Sequence, residues 1–248
     1  MKKKSAFKIF ISLIVTLSLT GCSPYDIRDD GVYFIEWNAA QGKVEKKINR
    51  ADKNSFKHIS GSYGKDKNFV FFKRKIINGA DSNSFKRIKR GYSIDKNRVY
   101  YYGDSITNSS SKQFEIIDNY YSKDYKDIYY RNQALNVCSV ENFEFVFHDS
   151  LENEYRRWTR DGCNYFINSI KVPSSEYDNL NVYPKSGGIS SDSKNVYHYN
   201  RNICYDSKGI KILDTVDIKT FEVYGFIKCR DKYGNINLYN TMKQIRLK

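Results

Sequence analysis

Apolar residues recur along this chain at a fixed interval of 29 residues. Phe56, Phe85, Phe114 and Phe143 fall on it, as do Val70, Val99 and Ile128, and then Ile77, Ile106 and Leu135. A polar series keeps step with them: Asp66, Asp95 and Asp124, each preceded at three residues by Tyr63, Tyr92 or Tyr121. A fixed period of this length is the signature of a repeat architecture, in which each unit buries its apolar face against its neighbours. No long stretch places apolar residues at i, i+3, i+4 and i+7, so helices are not predicted.

Each unit reads as a β-hairpin with a connector. Phe85 to Ile94 can be extended, Asp95-Lys96-Asn97 is a turn, and Val99 to Tyr102 is a strand. The Asp side chain can bond its own backbone in such a turn, and Asn tolerates positive φ. Gly103-Asp104 then turns or bulges the chain. A lone hairpin is marginally stable, so the units must stack. The recurring Phe, the Val/Ile and the late Ile/Leu are the candidate core.

The series continues with interruptions. Asp161-Gly162-Cys163-Asn164-Tyr165-Phe166 with Val172 makes one further unit, and Asp192-Ser193-Lys194-Asn195-Val196-Tyr197 with Ile203 another. Phe221 and Asp231, spaced like Phe56 and Asp66, open a last unit ending near Met242. Asp30-Gly31-Val32-Tyr33-Phe34 is a degenerate first one. The expected fold is therefore all-β: about seven tandem hairpin repeats of ~29 residues with atypical ends, forming a curved antiparallel solenoid or a propeller-like array. Abundant Tyr (22) and scarce Pro (3) agree with strands.

Asp66-Lys67-Asn68-Phe69-Val70-Phe71-Phe72 and Asp95-Lys96-Asn97-Arg98-Val99-Tyr100-Tyr101 resemble the repeat of the DKNYY family of bacterial proteins. Asp192-Ser193-Lys194-Asn195-Val196-Tyr197 is a looser match. The resemblance covers roughly residues 28–245 and departs from the pattern between 138 and 190 and around 205–220. It implies a secreted or lipid-anchored β-repeat protein of unknown molecular function, and it supplies no catalytic residue.

The N-terminus carries a different pattern. Lys2, Lys3, Lys4 and Lys8 precede an apolar run from Ile9 to Leu19, which ends in Leu19-Thr20-Gly21-Cys22. The run is well short of the ~20 residues that span a bilayer as a helix. A basic start, a short apolar core and small residues make a secretory signal. Leu19-Thr20-Gly21-Cys22 resembles the bacterial lipobox, which implies cleavage before Cys22 and lipid on its sulfur. Ser23, rather than Asp, next to that cysteine resembles the pattern of outer-membrane delivery. The expected organisation is a cleaved signal over 1–21, a lipidated linker over 22–27, and a repeat domain over 28–248 with insertions near 144–160 and 205–220. The expected location is the outer membrane, facing the periplasm.

Removing the four signal lysines lowers the net charge from +14 to +10 over the remaining 227 residues. Such a basic chain invites a nucleic-acid reading. Export and the scatter of Lys and Arg along the whole chain argue against nucleic acid; anionic lipid, lipopolysaccharide or an acidic partner protein fits the compartment better, and a merely solvated basic surface is the simpler reading.

Four cysteines remain after Cys22. Cys138 and Cys163 are 25 residues apart, as are Cys204 and Cys229. An even count in an exported chain predicts two disulfides, with these local pairs the expected ones. There is no CxxC, and His58, His148 and His198 have no ligand spacing, so no metal or other cofactor is expected.

Catalytic chemistry is hard to find. Phe147-His148-Asp149-Ser150 offers His, Asp and Ser, but neighbours on a strand point to opposite faces. There is no GxSxG elbow and no Walker loop. The repeated Asp residues each bring one carboxylate beside Lys or Arg, whereas calcium takes roughly six to eight oxygens. Trp158 in Arg156-Arg157-Trp158-Thr159-Arg160 is the candidate partner contact, because Trp and Arg are enriched at interface hot spots. An aromatic lid over a repeat core is the competing reading of that Trp. The sequence thus predicts a non-enzymatic envelope lipoprotein, held at the membrane through lipid on Cys22, that binds an unknown protein or envelope polymer. The alternative is an immunity lipoprotein against a bacterial toxin.

Overall fold

The computed structural model of the protein describes residues 23–147, 156–238 and 246–247. Cys22, the signal over 1–21, His148 with Asp149 and Ser150, and Met242 lie outside the described residues.

Seven antiparallel sheets follow one another along the chain. Sheet 1 has three strands, Tyr25–Arg28, Gly31–Asn38 and Gly42–Lys47. The other six are four-stranded meanders. Sheet 2 comprises Lys57–Ser60, Tyr63–Lys65, Val70–Phe72 and Lys75–Ile76. Sheet 3 repeats it 29 residues later with Lys86–Arg87, Tyr92–Ile94, Val99–Tyr101 and Asp104–Ser105. The central strands are Tyr121–Lys123 and Ile128–Tyr130 in sheet 4, and Trp158–Arg160 and Tyr165–Ile167 in sheet 5. In sheet 6 they are Ile189–Ser191 and Val196–His198, and in sheet 7 Lys228–Asp231 and Gly234–Asn237. The all-β hairpin-repeat expectation is borne out.

Strand periodicity explains the stacking. Alternate residues of the two central strands point to opposite faces, and both faces are buried. In sheet 3, Tyr92 and Val99 pack with Tyr129 of sheet 4, while Tyr100 packs with Tyr63 and Val70 of sheet 2. Six apolar clusters join consecutive sheets in this way, from sheets 1 and 2 to sheets 6 and 7. Among the described residues no cluster joins sheet 7 to sheet 1, so the units form an open array rather than a closed ring. Small residues admit the neighbours: a Cβ on Gly64 would lie 2.4 Å from the Phe56 ring, and one on Gly103, at φ +87°, 2.6 Å from Phe72 Cβ.

The ends differ from the middle where an open array requires it. In sheet 7 the two central positions that face the following sheet hold Lys228 and Asn235, both exposed. In sheet 1, Arg28 occupies the position of the repeat Asp, four residues before Val32, rather than Asp30. Its guanidinium bonds Asp26 at 2.8 Å and Glu45 at 2.6 Å and lies 4.4 Å over the Tyr33 ring. Polar outer faces of this kind keep terminal repeats from stacking further.

Two expectations are corrected. Cys138 and Cys163 are bonded, with Cα atoms 6.6 Å apart, but Cys204 and Cys229 are not joined. Cys229 is fully buried two residues before Asp231. That is the small-residue position held elsewhere by Gly64, Ser93, Ser122, Thr159 and Ser190, all of them buried. Trp158 is 1% exposed and Arg157 is buried beside it, so these two do not form an exposed loop with Arg156. The lid reading holds for Trp158, because it stands three residues before Asp161, where sheets 2–4 carry Tyr.

Candidate functional site

The motif aspartates build one end of sheets 2–7, at the turn between the two central strands, and their geometry decides what they can do. Asp95 Oδ1 accepts the backbone N–H groups of Asn97 and Arg98, both at 2.8 Å. Its Oδ2 accepts the Asp81 N–H at 2.9 Å and the Tyr100 hydroxyl at 2.7 Å. The carboxylate thus locks the hairpin turn and ties it to the connector that opens its own unit. Asp66 and Asp124 repeat the pattern, receiving the N–H groups of Asp52 at 2.9 Å and Ser110 at 2.6 Å. The Tyr hydroxyl recurs from Tyr129 to Asp124 at 3.0 Å and from Tyr197 to Asp192 at 2.7 Å.

A second layer rests on the first. Asp81 accepts the Ser84 hydroxyl at 2.7 Å, pairs with Lys96 at 3.0 Å and takes the Ser84 N–H at 2.8 Å. These contacts hold its carboxyl down at about 2. Asp52 with Lys67 and Asp217 with Lys232 form equivalent pairs, at 3.1 and 2.6 Å. Burial alone would raise the carboxyls of Asp95, Asp161 and Asp192, but the hydrogen bonds they accept outweigh it and hold all three below the ordinary range. These are buried, engaged acids whose carboxylates hold the turns.

The aromatic residue three before the repeat Asp, or before Arg28 in sheet 1, reaches the next unit from sheets 1, 2 and 5. Tyr25 donates to the carbonyls of Ser62 at 2.6 Å and Lys73 at 3.0 Å, and Tyr63 donates to that of Gly91 at 3.2 Å. Trp158 Nε1 donates to the Tyr183 carbonyl at 3.2 Å. Arg157 lies 3.7 Å over the Phe145 ring and pairs with Asp118 of sheet 4. Both side chains are structural.

Disulfide-bonded Cys138 and Cys163 surround Asp161, whose Oδ2 accepts the Cys138 N–H at 2.8 Å. Here the connector donor lies 23 residues before the Asp, not 14, and the bridge closes the lengthened segment. The sulfurs are bonded to each other and the carboxylate accepts hydrogen bonds, so this cluster offers no set of metal ligands. His58 Nε2 lies 2.9 Å from the Gly61 carbonyl and His198 Nε2 lies 3.2 Å from that of Gly187. Burial is the main force pushing the half-buried His198 imidazole down.

Two of the predicted contact residues, Arg156 and Trp158, reach a cleft. Arg156 is exposed, and with Trp158, Ile167, Lys185, Gly187 and Phe226 it lines a cavity of about 380 Å³ that spans sheets 5, 6 and 7. Arg156 lies 4.8 Å over the Phe226 ring, which is 45% exposed. Trp158 contributes an apolar wall. Ser186 also lines the cavity, but its hydroxyl donates to the Tyr183 carbonyl at 2.7 Å and accepts the Ile189 N–H at 2.9 Å. It is a turn-former there, not a nucleophile. The arrangement offers two cations above an apolar, aromatic wall, which suits a ligand carrying negative charge on an apolar frame. Lys185 and Phe226 were invisible to sequence reasoning, because each lies in a turn between the first two strands of a sheet, where the repeat has no fixed residue.

Three overlapping stretches of the chain, residues 4–105, 25–170 and 92–240, match the model of the DKNYY family. No curated protein and no solved structure matches the chain.

Proposed function

The chain belongs to the DKNYY family, and from that premise we propose that it is a non-enzymatic binding module of the bacterial envelope, held at the membrane through lipid on Cys22. The observation that carries the binding role is the cleft across sheets 5–7, where Arg156 and Lys185 stand beside Phe226 and Trp158. The motif residues are engaged inside the repeats, which leaves the turns between strands as the part of the surface free to vary. An acidic partner, protein or polymer, matches the charge of that cleft. The signal-like N-terminus supports the envelope location.

The test is site-specific photocrosslinking in the native host. A crosslinkable residue at Arg156 is expected to give a defined adduct, and one at Lys67, at the opposite end of the sheets, is not. Equal adducts at both positions, or none at 156, would contradict the reading. Replacing Cys22 by Ser is expected to release the protein from the membrane fraction; membrane retention would contradict the anchor.

A further inference from the structure

The meander topology divides the charge of this protein between its two ends. In a four-stranded meander the first and third turns lie at one end of the sheet, and the second turn at the other. The second turns are the Asp turns. Four of their five lysines face acids: Lys67, Lys96, Lys194 and Lys232 pair with Asp52, Asp81, Glu176 and Asp217 at 2.6–3.4 Å, while Lys126 lies 5.3 Å over the Tyr125 ring. At the other end the first and third turns are clipped together. Lys73 N–H donates to the Ser62 carbonyl at 2.7 Å, Tyr102 N–H to Gly91 at 2.9 Å and Tyr199 N–H to Gly188 at 2.8 Å. This turn end carries exposed Lys73, Arg74, Arg90, Arg131, Arg156 and Lys185, spread over sheets 2–6. Among the described residues none of the six forms an ion pair. Glu36 and Asp104 are nearby acids, and Asp118 is engaged by Arg157.

Aromatic rings lie beside these cations. Tyr102 is 52% exposed and packs edge-on against Phe72, and Arg131 lies over Tyr120 and Tyr130 at 5.2 and 5.4 Å. Two grooves of about 600 and 500 Å³ between sheets 2 and 3 share Phe72, Lys73 and Tyr102 as walls. The cleft at Arg156 continues the same end toward sheet 7. With stacked sheets about 10 Å apart, the end is a track along which cations and rings follow one another from sheet 2 to sheet 7.

We infer that this turn end is a binding track for a linear acidic polysaccharide. The inference deepens the proposed function and rests on it. Carboxylates along a polymer match the Lys and Arg of this end, and the apolar C–H faces of sugar rings match the exposed rings of Tyr102 and Phe226. An acidic peptide supplies the charge without regular rings. Single-stranded nucleic acid also combines charge with stacking, but the signal-like N-terminus directs the chain away from it.

The experiment uses the full chain in detergent, titrated with polygalacturonate, poly-L-glutamate, neutral dextran and a single-stranded DNA oligonucleotide. Polygalacturonate is expected to bind tightest and dextran not at all. The double variant Arg90→Gln, Arg131→Asn should weaken polygalacturonate at least tenfold, whereas Lys126→Gln at the Asp end should leave it unchanged. Tyr102→Asn should weaken polygalacturonate at least threefold and leave poly-L-glutamate unchanged; Asn suits the left-handed backbone there and at Arg131. An unchanged thermal midpoint in each variant confirms folding. Absence of polygalacturonate binding, equal binding of poly-L-glutamate or DNA, or equal effects of the two-end variants overturns the inference. A persisting adduct at 156 alongside any of those results overturns the polysaccharide alone, while loss of that adduct overturns the binding reading beneath it.

Discussion

Tyr100 donates its hydroxyl to Asp95 at 2.7 Å, across the turn that joins the two central strands of sheet 3. The same carboxylate receives three backbone N–H groups. A hydrogen bond to a charged acceptor contributes more than a neutral one. Tyr100→Phe is therefore expected to destabilise the protein by about 1–2 kcal/mol. Asp95→Ala leaves four donors without their acceptor and should cost about 3–4 kcal/mol. Urea unfolding measures both. Phe71 stands in the place of Tyr100 in sheet 2, so the Phe variant should keep the fold. Equal costs for the two variants would contradict the hierarchy.

Acid should loosen the array. Asp95, Asp161 and Asp192 are held below the ordinary carboxyl range, and Asp81 is held at about 2. A group whose pKa is lower folded than unfolded stabilises the fold above its unfolded value, and this stability is lost as pH falls through the folded value. The urea midpoint is expected to be level down to about pH 5 and to fall from about pH 4 toward pH 2. A midpoint that rises on acidification would contradict the network.

Trp158 fills a repeat position rather than a binding loop. Trp158→Ala should destabilise by about 3–5 kcal/mol through the cavity it leaves. Trp158→Tyr restores the residue found in sheets 2–4 and should cost under about 1.5 kcal/mol. The comparison of unfolding midpoints separates a core role from a surface one, for which neither change would matter.

Burial, and behind it the charge of Asp231, pushes the Cys229 thiol up to about 12. It should resist alkylation at pH 8 in the folded protein and react after denaturation without a reductant. Mass mapping is expected to find Cys138 bonded to Cys163, with Cys229 alkylated. A Cys204–Cys229 crosslinked peptide would contradict the structure.

The period carried most of the fold. Tyr63, Asp66, Val70 and Ile77 recur because Asp66 holds the turn of its own sheet and the other three pack against Phe85 and Tyr100 of the next unit. The positions that misled were exceptions seen outside that register. Trp158 reads as a basic-aromatic loop until its distance from Asp161 is counted, and Cys229 reads as a disulfide half until it is placed beside Ser190 and Thr159. The cleft was only partly legible. Arg156 drew attention by its neighbours, but Lys185 and Phe226 come from turns whose residues vary, and only the stacking of sheets 5, 6 and 7 brings them together. The division of charge between the two ends follows from the meander, which the scatter of Lys and Arg along the sequence concealed.

The protein is an open array in which each sheet is held by its immediate neighbours and sheets 2–7 also by their own Asp turns. Deletion of residues 80–108 removes sheet 3 whole and brings sheet 2 against sheet 4 through equivalent positions. Far-ultraviolet circular dichroism during urea unfolding is the measurement. The account predicts a shortened protein with the same β-type spectrum per residue and a single cooperative transition. Loss of that spectrum and of the transition would contradict it and favour a closed architecture that cannot lose a unit.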